Sequence, residues 1–90
     1  MKYVLFYESV DDFLPLAQEN FPAHQERFMD FHQRGVLLML GPFMDQSGDA
    51  MAVFTSREAA EEFFAGDPFV LNGVVKTWTI REWNEPLFET

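Results

Sequence analysis

Two residues of this 90-residue chain, His24 and Asp67, have the chemistry of a general acid–base pair. His24 falls in the series Phe21, His24, Phe28 and Phe31, whose spacing stacks side chains on one helical face. An ionisable imidazole is thereby directed into a row of phenylalanines. Most inward-facing histidines fill space and bond one carbonyl. Here no second histidine lies three or four residues away to make a metal pair, and a stripe that continues through Phe28 and Phe31 has no need of a polar member. Asp67 precedes Pro68, which biases it toward extended geometry and sends its side chain away from a helix end. Aspartate before proline is ordinary turn chemistry, so Asp67 gains meaning only beside His24. A carboxylate against an imidazole holds one tautomer and favours the charged ring, which suits proton transfer near neutral pH.

Other residues have weaker claims. Gly41-Pro42 and Asp67-Pro68 close predicted elements that can converge where the His24 helix opens. Gly41, Pro42, Phe43, Pro68, Phe69 and Tyr7 are therefore candidate walls of a substrate pocket. His32 sits near the edge of the stripe beside Gly35, where its charge would complement a helix C-terminus. Asp45 and Asp49 lack the calcium-loop pattern and its terminal glutamate, so no metal site is expected in their loop. No Gly-x-Ser-x-Gly or phosphate-cradling glycine loop occurs, which argues against serine hydrolases and nucleotide hydrolysis. No cofactor motif is present, and no cofactor is expected.

Those side chains must be positioned by a small fold. Ninety residues suffice for one modest core, so residues 1–90 read as a single domain. Hydrophobic residues make up 48% of the chain and include eleven phenylalanines, which excludes a disordered polymer. The net charge of −9 comes from 15 acidic and 6 scattered basic residues, so nucleic acid and anionic lipid would be repelled. Cysteine is absent, removing disulfides, thiolate nucleophiles and iron–sulfur clusters together. The apolar run from Tyr3 to Tyr7 is too short for a signal peptide or a membrane span, and the expected location is the cytoplasm.

Lys2 to Tyr7 reads as a strand buried on both faces. Ser9 to Asn20 reads as an acidic loop with at most one helical turn. A helix is expected from Pro22 to about Arg34, with Asn20 as a cap, Pro22 in the first turn and Gly35 as the stop. Val36 to Leu40 is a second strand, ended by Gly41-Pro42. A loop from Phe43 to Asp49 leads to a third strand, Ala50 to Phe54. Thr55-Ser56-Arg57-Glu58 has capping-box spacing from Thr55 and opens a second helix that ends at Gly66. Val74 to Trp83 is the last strand, with Trp78 and Ile80 on one face and Thr77, Thr79 and Arg81 on the other.

The order β-α-β-β-α-β is an α+β, ferredoxin-like arrangement: a four-stranded antiparallel sheet with both helices on one face. Its three strands from Tyr3 to Tyr7, Val36 to Leu40 and Ala50 to Phe54 are apolar on both faces. A monomer would expose that surface, so pairing of the open sheet faces into a homodimer is expected.

Several short pieces in order also resemble one family. Pro22-Ala23-His24, Gly35-Val36-Leu37-Leu38 leading to Gly41-Pro42, Ser56-Arg57-Glu58-Ala59-Ala60, Asp67-Pro68-Phe69-Val70 and Ile80-Arg81-Glu82-Trp83 are similar to the YCII-related (YciI-like) family. The resemblance implies membership of the dimeric α/β-barrel superfamily and an active site centred on a histidine and an aspartate near the dimer interface, here His24 and Asp67. Relatives include an enzyme that dechlorinates a hydroxylated aromatic ring, and the wider superfamily contains muconolactone isomerases. Many members carry an arginine three residues before the histidine. Phe21 stands there in this chain, which implies a less charged, more aromatic ligand.

Two functions follow from these readings. The first is an enzyme of isomerase, dehalogenase, lyase or hydrolase type acting on a small cyclic or aromatic molecule, with His24 as general acid or base and Asp67 orienting it. The second is a non-catalytic ligand-binding or assembly module built on the same fold. They differ in whether His24 and Asp67 line a solvent-reachable cavity or meet inside a sealed core.

Overall fold

A computed structural model describes residues 1–88; residues 89 and 90, part of the 1–90 domain reading, lie outside the described residues. Strand β1 (Lys2–Ser9) is followed by helix α1 (Leu14–Gln33), strands β2 (Leu37–Pro42) and β3 (Ala50–Phe54), helix α2 (Arg57–Gly66), the single turn of helix α3 (Pro68–Leu71) and strand β4 (Val75–Trp83). The sheet order is β2-β3-β1-β4 with every neighbouring pair antiparallel, which is the expected ferredoxin-like arrangement. Tyr3, Leu5 and Tyr7 of β1 stand opposite Phe54, Ala52 and Ala50 of β3. This row of alternate residues faces the helices, and Phe31 of α1 and Phe63 of α2 close the core above it. Among the described residues no helix is long and apolar enough to cross a membrane.

Four local expectations are corrected. Helix α1 begins at Leu14 and absorbs most of the segment read as a loop, so Pro22 lies within the helix and Pro15 occupies its first turn. Proline is tolerated in a first turn, where its missing N–H has no partner in any case. At Pro22 the lost bond falls on the carbonyl of Gln18, which is on an exposed stretch that water can reach. Asn20 is no cap; its amide donates to the Leu16 carbonyl inside the helix.

The second correction concerns Gly41-Pro42, which belongs to β2 and does not end it. Strand β2 is an edge strand, and an edge position tolerates the missing donor. In the third, α2 is capped by Ser56, whose hydroxyl accepts from the Ala59 N–H. The Thr55 N–H instead bonds the Val36 carbonyl, which keeps Thr55 in the sheet ladder. The fourth is α3, an extra turn for which Asp67 serves as N-cap and Pro68 as first residue. Gly35, by contrast, ends α1 as expected, with φ at +81° in the left-handed region that glycine enters without strain.

Candidate active site

Helix α1 carries His24 on its inner face, and the peptide joining α2 to α3 carries Asp67 directly beneath it. The imidazole Nδ1 lies 2.7 Å from Asp67 Oδ1. The same oxygen accepts the Phe69 N–H at 3.1 Å, and the other carboxylate oxygen accepts the Tyr7 hydroxyl at 2.7 Å. Asp67 is fully buried and His24 is 6% exposed. A carboxylate has no hydrogen to donate, so Nδ1 carries the proton of the neutral ring and Nε2 presents its lone pair.

The imidazole is held by packing as well. It stacks on Phe69 with centroids 3.8 Å apart and planes within 5°, and Phe28 meets it edge-on at 5.2 Å. Its Nε2 has no hydrogen-bond partner among the described residues and is not sealed from solvent. Beyond it lies a cavity of about 370 Å³ between α1 and the sheet. Phe13, Ala17, Phe21, His24 and Phe28 form its roof; Leu5, Tyr7, Leu40, Gly41, Pro42, Met51 and Ala52 form its floor; Phe63 and Phe69 close one side.

One flank of the cavity is fixed by the turn between β2 and β3. Ser9 donates its N–H to Asp49 Oδ1 at 2.9 Å and its hydroxyl to the Gly48 carbonyl at 2.7 Å. Gly48 has φ +80°, and a Cβ on it would stand 2.6 Å from the Phe13 ring, so only glycine lets that ring lie against the turn. Asp45 accepts from the backbone and hydroxyl of Ser47, and the hydroxyl bond foremost holds its carboxyl below the usual range. The Asp45 carboxylate is thus engaged within the turn and that of Asp49 by Ser9 of β1, and no group of three or more possible metal ligands occurs among the described residues.

The candidate residues from the sequence separate into three groups. His24, Tyr7, Gly41, Pro42 and Phe69 line the cavity, and Asp67 lies sealed behind the imidazole. Phe43 is 42% exposed and borders a groove with Phe6, Thr79 and Arg81 on the open sheet face. Pro68 borders an outer groove with Ala23, Glu26 and Arg27. Neither reaches the cavity. His32 bonds the Leu37 carbonyl through Nδ1 at 2.7 Å and ties the end of α1 to β2.

Tyr7 has a second role that its sequence context did not reveal, as the donor that anchors Asp67. The signal was its place on the inward row of β1, which an aromatic hydroxyl cannot occupy without a partner. Burial foremost, then the charge of Asp67 and the hydrogen bond to it, push the Tyr7 phenol far above its ordinary value of 10.0. A group bound to its proton more tightly in the folded state contributes stability below its unfolded pKa and loses it as pH rises. Unfolding midpoints of the unmodified protein are therefore expected to fall faster above about pH 10 than those of Tyr7→Phe. At neutral pH that variant is expected to lose about 1–2 kcal/mol, since Asp67 Oδ2 is left without its donor. Urea titrations at several pH values measure both effects.

Comparison with known proteins places these observations. No curated protein matches the sequence. The 5-chloro-2-hydroxyhydroquinone dehydrochlorinase of Burkholderia phenoliruptrix, solved with 2,5-dihydroxybenzoquinone, superposes with a TM-score of 0.81 at 14% identity, covering 96% of each chain. An antibiotic biosynthesis monooxygenase superposes at 0.59 with 17% identity, over 96% of this chain and 99% of that one. A protein of Agrobacterium tumefaciens superposes at 0.60 with 9% identity, over 98% of this chain and 96% of that one. At such identities the likeness is one of fold. The family model of the YCII-related domain matches residues 1–84, and the chain belongs to the YCII-related family.

Proposed function

We propose that this protein is a small-molecule enzyme in which His24 transfers a proton to or from a cyclic or aromatic substrate bound in the cavity. The observation that carries the reading is a nearly buried imidazole whose Nδ1 is held by Asp67 while Nε2, without a protein partner among the described residues, borders an apolar cavity. Nε2 accepts a proton from a substrate C–H or O–H. The electron pair left behind shifts a double bond or expels a leaving group, and the imidazolium gives the proton back at the end of the cycle. Asp67 touches no substrate; it positions the ring and balances its transient charge. The cavity volume lies within the range of small-molecule sites. The dehydrochlorinase that shares the fold acts on a hydroxylated chlorinated ring, which supports the same substrate class here.

The test is turnover by the protein and by His24→Gln. Deuterium uptake by enolisable cyclic ketones and lactones, and chloride release from chlorinated hydroxyquinols, cover isomerase and elimination chemistry. A reaction on any of these that His24→Gln leaves at full rate overturns the role of His24. A second reading, a binding module without turnover, draws on the complete burial of Asp67 and the Phe69 stack, which a structural histidine would share. Saturable ligand binding without turnover across the panel favours it.

We also read the open sheet face as the surface of a homodimer. Val4, Phe6 and Met51 border a groove there with Arg81 and Trp83, and Met39 is 53% exposed at the sheet edge. Elution at twice the chain mass at micromolar concentration is expected in a sizing experiment with light scattering; a monodisperse monomer overturns this reading.

A further inference from the structure

Within the site proposed above, the groups that line the cavity define a narrower class of ligand. Among the described residues, no lysine, arginine, aspartate or glutamate borders it. The Tyr7 hydroxyl is committed to Asp67 and that of Ser9 to the Gly48 carbonyl. Arg27, the cation on the same helix, holds the Phe63 and Glu62 carbonyls through its guanidinium and borders the outer groove instead. His24 Nε2 is therefore the one side-chain atom in the lining that is both polar and without a protein partner.

A charge that a ligand buries here finds no counter-ion among the lining side chains, whereas a hydroxyl finds an acceptor at Nε2. With Nδ1–H directed at Asp67, the neutral ring offers an acceptor at Nε2, so the ligand must bring a donor to that point. A carboxylate brings an acceptor. If the ring is protonated, its charge is already balanced by Asp67 and the ligand's charge is left without a counter-ion.

Phe21 governs the approach. It borders the cavity while remaining 45% exposed, and its ring lies 6.2 Å from the His24 centroid and 6.3 Å from that of Phe28. A lining position from which a cation could reach both solvent and the His24 end is thus occupied by an apolar ring.

We propose that the cavity selects an uncharged aromatic ring bearing a hydroxyl that donates to His24 Nε2, and that Phe21 is the specificity-determining side chain that excludes carboxylated rings. The proposal rests on the cavity being the substrate site but concerns binding and requires no turnover.

The experiment is a binding titration at pH 7 with 4-methylphenol, 4-methylbenzoate and toluene, followed by calorimetry and by the ring-nitrogen NMR signals of His24. The phenol is neutral at this pH and the benzoate is ionised. Expected are saturable binding of 4-methylphenol with a shift of the His24 Nε2 signal, binding of 4-methylbenzoate weaker by about tenfold or more, and toluene binding without the Nε2 shift. Phe21→Arg lies at a half-exposed position where the fold tolerates a long polar side chain, and it is expected to move the benzoate-to-phenol affinity ratio about tenfold toward the benzoate. Equal affinity for the two ligands in the unmodified protein, an unchanged ratio in Phe21→Arg, or failure of 4-methylphenol to bind each overturns the inference. Phenol binding without turnover in the deuterium and chloride assays defeats the catalytic reading alone. Turnover of a carboxylated ring with no preference for phenols defeats the ligand class alone.

Discussion

Asp67→Ala is expected to lower the unfolding free energy by about 3–5 kcal/mol, the range for breaking one side of a buried polar pair. Three donors converge on this fully buried carboxylate: the His24 ring, the Tyr7 hydroxyl and the Phe69 N–H. Truncation leaves all three without an acceptor. Each such orphan costs about 1–3 kcal/mol. Part of the loss falls on α3, because the same side chain caps it. Asp67→Asn keeps the volume and one acceptor oxygen, and it is expected to fall between the two. Urea denaturation followed by tryptophan fluorescence measures this directly. A cost under about 1 kcal/mol for the alanine variant would mean that water enters behind the imidazole and that the carboxylate is not the anchor described.

His24→Gln is expected to behave in the opposite way, with stability held within about 1 kcal/mol and proton-transfer turnover reduced about 10²–10⁴-fold, the usual contribution of a general acid or base. Glutamine can still donate to Asp67 across the same gap, and the cavity side of the position is open to water, so little is orphaned. What the variant lacks is a ring nitrogen that takes up and returns a proton. The pair of variants therefore separates architecture from chemistry: Asp67 is needed mainly to hold the site and His24 mainly to act in it. If His24→Gln destabilised the protein as strongly as Asp67→Ala while leaving turnover intact, the two would be one structural unit and the catalytic reading would fall. His24→Ala is a harsher probe, because it leaves the space against Phe69 and Phe28 empty and removes any donor to Asp67.

Much of the fold was legible because local pattern and tertiary environment agree. The apolar strands read over Lys2–Tyr7 and Ala50–Phe54, the helix stop at Gly35 and the inward Phe28–Phe31 stripe follow from periodicity and from what glycine allows. Where they disagree, the reading slipped. Pro15 and Pro22 looked like the end of a loop and the start of a helix. A proline excludes a helix only where its missing bond cannot be replaced, and whether the Gln18 carbonyl meets water is a property of the folded surface. That slip hid the first half of the site as well, since Phe13 and Ala17 roof the cavity only because the chain is already helical beyond Leu14.

The sequence by itself determined the α+β order, the inward placement of His24 and the extended exit of Asp67 before Pro68, because each depends on the residue and its near neighbours. It also placed Tyr7 and Phe69 near ends of elements that could meet. Only the tertiary structure decided that Asp67 is sealed while His24 is not, that Tyr7 serves the carboxylate, and that Phe43 and Pro68 face elsewhere. Burial and hydrogen-bond partnership are relations between segments far apart in the chain, sixty positions in the case of Tyr7 and Asp67. Spacing along the chain carries the direction of a side chain, and packing alone carries what it meets.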